Sequence, residues 1–188
     1  MNDPHGLCLW FTGLSAAGKT TLCRSVEPEL RARGYRVRVL DAEELRHTVS
    51  RDLGFTRADR DENVARIASL ARNLVDQGYI VLVAAISPYA QARATARAHI
   101  GSFLEVFVDA PVELCIRRDP KGLYANALLG DLPNFTGIDD PYEPPAAPDI
   151  YCNTAAEPLA DCVARIVGAV QTQPASPVHR QGSGRAWV

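Results

Sequence analysis

The chain has 188 residues, 47% apolar and 22% charged, and its 20 basic and 22 acidic side chains leave a net charge of −2. That composition excludes a disordered chain, a collagen-like fibre and a small disulfide scaffold, and it suits one soluble domain with its own core. No global basic field points to nucleic acid or an anionic membrane, so an anionic ligand has to be captured locally.

The polar start, Met1 to Gly6, leads into only five apolar residues, too few for a secretory signal. No run of 18 apolar residues predicts a membrane span. Leu7–Phe11 reads as a buried strand, followed by a glycine-containing turn and a helix from about Lys19. Gly34 ends that helix, and Pro28 is expected to kink or split it. Val37–Leu40 is a second strand with Asp41 at its end. Asp59–Gln77 carries Val64, Ile67, Ala68, Ala71, Leu74 and Val75 at helical spacing and closes at Gly78. Ile80–Ile86 is the strongest strand of the chain. Helix Tyr89–His99, strand Phe103–Val108 and helix Val112–Arg117 follow. A short strand around Asp149–Cys152 leads into helix Leu159–Val170.

Strand–helix alternation with continuously apolar strands predicts an α/β fold, a parallel β-sheet flanked by helices. Ligands of such sheets sit at the carboxyl ends of the strands. Two stretches break the pattern. Asp119–Pro148 is rich in proline and glycine, with a short helix at Tyr124–Leu129, and reads as a lid insertion carrying Lys121, Tyr124, Phe135, Asp139, Asp140 and Tyr142. Residues 171–188 are polar and aperiodic and are expected to be a disordered tail behind a single domain at 1–170. Cys8, Cys23, Cys115, Cys152 and Cys162 are odd in number and lack Cys-x-x-Cys spacing. They read as reduced, mostly buried thiols of a cytoplasmic protein rather than disulfides or zinc ligands.

Gly13-Leu14-Ser15-Ala16-Ala17-Gly18-Lys19-Thr20 matches G-x-x-x-x-G-K-[ST] between a strand and a helix, the context that makes it a P-loop phosphate cradle. Its backbone N–H groups and the helix dipole face the phosphates, Lys19 adds a charge between the β- and γ-phosphates, and Thr20 offers a hydroxyl to Mg²⁺. Gly13, Ser15, Ala16, Ala17, Gly18, Lys19, Thr20 and Thr21 form the expected nucleotide-holding set. After the second strand, Asp41-Ala42-Glu43-Glu44-Leu45-Arg46 reads either as an acid-decorated helix start or as catalytic or Mg²⁺-associated carboxylates at Asp41 or Glu43. Arg60 and Asn63 share a helix face. Arg51, Arg57 and Arg66 read as solvated. Ser87, after the third strand, either caps the next helix or lines the site.

Several separate strings resemble the adenylyl-sulfate (APS) kinase family. They are the cradle, Arg51-Asp52-Leu53-Gly54-Phe55, Asp59-Arg60 with Glu62-Asn63, Ile86-Ser87-Pro88-Tyr89, Arg118-Asp119-Pro120-Lys121-Gly122-Leu123-Tyr124, and Asn134-Phe135-Thr136-Gly137-Ile138-Asp139-Asp140-Pro141-Tyr142-Glu143. The last two are the most specific. The resemblance implies a P-loop kinase that passes the ATP γ-phosphoryl group to the 3′-hydroxyl of APS, giving 3′-phosphoadenylyl sulfate (PAPS) and ADP in sulfate activation, with a homodimer as the assembly. It implies Phe55 and Phe135 around the APS adenine, and Arg46, Arg60 and Asn63 on the phosphosulfate and ribose. It places Lys121 in the closing lid and Arg118 near the ATP adenine. Ile86, Ser87 and Thr136 complete the acceptor site, with Ser87 near the transferred phosphoryl group. Asp41, Lys19 and Ser87 are the expected catalytic set, with Asp41 orienting the hydroxyl; Thr20 and Glu43 are the expected metal pair.

The chain departs from the family pattern at Ala16 and Ala42, where glycine is usual, and at Glu43, where aspartate is usual. Alanine at 16 is a modest change if that residue keeps a negative φ. Two other readings compete: a kinase of the same fold acting on another nucleotide or activated metabolite, and a nucleotide-binding module with little turnover.

Overall fold

The computed structural model describes residues 6–173. Five strands, β1 (Leu7–Thr12), β2 (Val37–Asp41), β3 (Ile80–Ala84), β4 (Phe103–Asp109) and β5 (Ile150–Asn153), form one parallel sheet in the order β2-β3-β1-β4-β5. Among the described residues the helices are α1 (Lys19–Ala32), α2 (Ala42–Arg46), α3 (Arg57–Asp76), α4 (Ala90–Ile100), α5 (Val112–Arg118), α6 (Leu123–Leu128) and α7 (Leu159–Gln171). None of them is long and apolar enough to cross a membrane.

The central strand shows why its sequence is continuously apolar. Leu7, Leu9 and Phe11 pack in one layer with Leu22, Val26 and Leu30 of α1 and Ile166 and Val170 of α7. Cys8 and Trp10 pack in the opposite layer with Val64, Ile67 and Ala71 of α3 and Ala96 and Ile100 of α4. A strand buried on both faces has no polar positions to alternate. At the sheet edge the demand relaxes, and β2 exposes Arg38. The register sets Asp41 beside Ala84 and Ala84 beside Phe11, so β1, β2 and β3 deliver their carboxyl ends to one rim.

Several boundaries differ from the sequence reading. Pro28 lies inside an uninterrupted α1. It sits on the solvent face, where water can satisfy the carbonyl one turn back that loses its N–H partner. The acidic segment after β2 is a one-turn helix, α2, capped by Asp41. Helix α3 starts two residues early because Thr56 and Asp59 form a reciprocal capping box. β3 stops at Ala84, and residues 85–89 run on as irregular backbone to α4. α7 extends to Gln171, so the expected tail starts later than residue 171, and residues 174–188 of it lie outside the described part.

All five cysteines are buried and none is disulfide-bonded. Desolvation lifts the Cys8 and Cys23 thiols well above the usual range and pushes Cys152 up to about 12. A thiol-disulfide reagent at pH 8 should therefore titrate almost nothing in the native protein and all five thiols after unfolding in guanidinium. Rapid native titration of several thiols would contradict this packing.

Candidate active site

The chain leaves β1 at Gly13, where an added Cβ would lie 2.2 Å from the Val108 carbonyl oxygen of β4, so only glycine fits. Gly18, at φ 108°, is the N-cap of α1 and offers no side chain to its first-turn N–H groups, which are left for a ligand to satisfy. Ala16 adopts φ 58°, so the condition for a modest change is not met. Alanine accepts this left-handed backbone at a cost of roughly 1–2 kcal/mol. Lys19 Nζ donates to the carbonyls of Gly13 (3.0 Å) and Leu14 (2.7 Å), and burial pushes its pKa down to about 8.

One cleft of about 1090 Å³ runs from this loop to the segment 118–136. Ser15, Ala16, Gly18, Lys19, Thr20, Thr21 and Arg118 line its P-loop end. Gly13 and Ala17 lie behind that surface and shape the loop. Arg118 donates to the Thr154 carbonyl (2.7 Å) and hydroxyl (3.1 Å), and Thr154 Oγ1 donates to the Ala17 carbonyl (2.7 Å). Thr154 thus ties the guanidinium plane to the P-loop. Sequence reading missed it because it belongs to no motif; its place just after β5, at a strand's carboxyl end, was the available signal.

Asp41 and Glu43 diverge. Thr20 Oγ1 donates to Asp41 Oδ2 (2.9 Å), while Asp41 Oδ1 accepts from the Glu43 N–H (2.9 Å) and caps α2. The Glu43 carboxylate instead forms an ion pair with Lys121 of the lid. Of the expected metal pair Thr20–Glu43, the structure sets Asp41 rather than Glu43 against Thr20; Glu43 also lines the cleft, with its carboxylate taken up by Lys121.

The opposite end of the cleft is cationic and aromatic. Arg46 lies 4.4 Å over the Phe55 ring, and Arg60 lies 5.6 Å from it. Arg60 donates to the Phe55 carbonyl (3.1 Å) and the Asn134 carbonyl (2.5 Å), joining the α3 start to the lid. Burial, and then the Arg60 charge, lower the Arg46 pKa. Phe55 is 44% exposed, whereas Phe135 is buried edge-on against Tyr124 at 4.9 Å. Ile86, Ser87, Asn63, Lys121 and Thr136 also line this end. Asn63 Oδ1 and Thr136 Oγ1 are buried without a hydrogen-bond partner in the protein, and such atoms are costly unless something satisfies them.

Ser87 does not cap α4. Its hydroxyl accepts from Trp10 Nε1 (3.0 Å) and donates to Thr12 Oγ1 (3.1 Å). Arg66, read as solvated, holds Asp52 through two bonds (2.6 and 2.9 Å), and Arg57 lies 4.2 Å over the Tyr89 ring.

A family model described as adenylylsulphate kinase matches residues 5–153. The adenylyl-sulfate kinase of Synechococcus sp. (strain JA-2-3B'a(2-13)) is 51% identical over 169 residues, spanning 90% of this chain and 97% of that protein. The chain belongs to the adenylyl-sulfate kinase family. Among solved structures of this family, Mycobacterium tuberculosis APS kinase CysC in complex with AMPPNP and APS superposes with a TM-score of 0.85 at 43% identity, over 90% of this chain and 99% of that one. The hexameric APS kinase from Thiobacillus denitrificans gives 0.68 at 30% identity, over 90% of this chain and 29% of that one. Measured against the family pattern, this adenylyl-sulfate kinase family member carries Ala42 as the first residue of α2, in ordinary helical backbone. Its Glu43 supplies the reach that meets Lys121.

Proposed function

We propose that the chain transfers the γ-phosphoryl group of ATP to the 3′-hydroxyl of APS, giving PAPS and ADP, in sulfate activation in the cytoplasm. One observation carries the reading: a single cleft joins a P-loop to an aromatic, two-arginine pocket whose buried Asn63 and Thr136 oxygens have no protein partner. A mixed-anhydride nucleotide supplies what that pocket demands. Its base offers a face to Phe55 and Phe135, its anion suits the planar forks of Arg46 and Arg60, and its ribose hydroxyls satisfy Asn63 and Thr136. Membership in the family supports APS as that nucleotide.

At the donor end the P-loop N–H groups and Lys19 hold the β- and γ-phosphates, and the Arg118 plane, fixed by Thr154, faces the donor base. Thr20 Oγ1 and Asp41 Oδ2 are hard oxygens side by side at the rim, a donor set that suits Mg²⁺. Bound there, the ion would neutralise charge on the phosphates. The transition state of phosphoryl transfer is loose, so positioning dominates. Asp41, locked by two hydrogen bonds, orients the attacking hydroxyl and receives its proton late. Ser87 holds the rim of the acceptor pocket. Residues 119–148 act as the lid of a single domain at 1–170, with Lys121 closing against Glu43. A homodimer is the assembly that goes with this reading; the hexameric relative supports assembly within the family.

Phe55→Ala tests the acceptor pocket, since this ring is half outside the core and its loss leaves the fold intact. The KM for APS should rise about 5- to 150-fold, from the roughly 1–3 kcal/mol that a base–aromatic stack contributes, with the KM for ATP little changed. Equal rises for both substrates would contradict the assignment.

A further inference from the structure

At the carboxyl side of β3 the backbone turns at Ser87, whose φ of 42° is left-handed although the residue carries a side chain and precedes Pro88. Such a conformation persists only where its surroundings over-determine it. Three bonds do so here: Trp10 Nε1 to Ser87 Oγ, Ser87 Oγ to Thr12 Oγ1, and Arg93 Nη1 to the Ser87 carbonyl at 2.7 Å. Thr12 gives its own proton to the Ile86 carbonyl (2.7 Å), so its oxygen accepts from both Ser87 and Tyr142 (3.0 Å). The donors and acceptors of this cluster balance.

Arg93 is its hub. The side chain is 3% exposed, and its Nε donates to Glu105 at 2.8 Å. Its remaining arm, Nη2, donates to the Glu143 carbonyl at 2.7 Å. Glu143 is fastened twice more, its N–H to the Pro88 carbonyl (2.8 Å) and its carboxylate to the Ala90 N–H (2.7 Å). Just upstream, Asp140 accepts from Tyr89 Oη at 2.9 Å. Residues 140–143 end the loop that brings Phe135 and Thr136 into the cleft. One guanidinium therefore fixes both the Ser87 turn and the root of that loop.

We propose that Arg93, oriented by Glu105, is a positioning residue for the acceptor half of the site. The proposal rests on the reading of the cleft as the place of phosphoryl transfer to APS. Lysine would keep the charge toward Glu105 but lacks the planar fork that bridges two carbonyls. The test is steady-state kinetics of Arg93→Lys and Glu105→Gln with APS and ATP varied separately, alongside ADP binding by calorimetry. For Arg93→Lys, kcat/KM for APS should fall about 10²-fold, the cost of a misplaced reacting group, with ADP affinity kept. Glu105→Gln retains an oxygen for Nε, so its loss should be smaller, in the same direction. Unchanged acceptor kinetics, or equal losses of APS turnover and ADP affinity, would overturn the proposal. If Arg93→Lys does not fold, Glu105→Gln decides on the same criteria. Wild-type protein that binds ADP but does not phosphorylate APS would overturn the functional reading and this proposal together, whereas active wild type with unaffected variants would overturn this proposal alone.

Discussion

Lys19→Met should leave a folded protein that transfers almost no phosphoryl group. The ammonium sits at the P-loop, where charge on the phosphoryl oxygens must be met, and loss of one such preorganised donor costs at least about 10²–10³-fold in kcat. The fold's need of it is limited to the two bonds from Nζ to the Gly13 and Leu14 carbonyls. Burial holds the Lys19 pKa near 8, below its ordinary 10.5, so the protonated side chain is less at ease in the native state than in the unfolded one. The sign follows from linkage. Below about pH 8 both states carry the proton and the full penalty acts; between 8 and 10.5 the native state sheds its proton first, and stability rises with pH. Methionine, with similar volume and no charge, removes the penalty. Thermal unfolding at pH 7 should therefore show a midpoint equal to or above wild type. A mutant with near-normal turnover would refute the cradle, and one with a markedly lower midpoint would refute the desolvation argument.

Asp41→Asn should lower kcat by about 10²–10⁴-fold, the range for loss of a positioned base, while APS affinity is largely kept. The substitution is nearly isosteric and keeps an oxygen to accept from the Glu43 N–H, so α2 stays capped. What disappears is the carboxylate charge beside Thr20. Glu43→Gln should behave differently, because its partner is Lys121 on the exposed lid. An exposed pair contributes little to stability, so the expected effect is a modest rise in KM with kcat nearly intact. A silent Asp41→Asn beside an inactive Glu43→Gln would reverse the two roles.

How much of this was legible in the sequence depended on sequence distance. The β1–cradle–α1 unit was legible because a doubly buried strand leaves a continuous apolar run and the cradle's spacing is local. Phe55, Arg60, Asn63, Phe135 and Thr136 could be named from their motif strings, and the cleft gathers them. The five-residue α2 is too short to show a helical period. The Thr56–Asp59 capping box is a local pattern and sets the α3 start at Arg57. Other features were beyond any local pattern. Ser87 is held by Trp10 and Thr12, more than seventy residues away, and the Glu43–Lys121 pair spans 78. Ala16 stands at φ 58°, where an alanine ordinarily prefers a negative φ, and no local pattern announces that strain.

The central claim is the identity of the acceptor. The most direct measurement incubates the purified protein with Mg²⁺, γ-³²P-labelled ATP and, in separate reactions, APS, adenosine 5′-monophosphate, other nucleotides and small sugar acids. Product is resolved by chromatography and digested with a 3′-nucleotidase. The account predicts label in a single product, formed only with APS and released as phosphate by the 3′-specific enzyme. Preferential labelling of another acceptor, or no labelled product from protein that binds ADP, would contradict it.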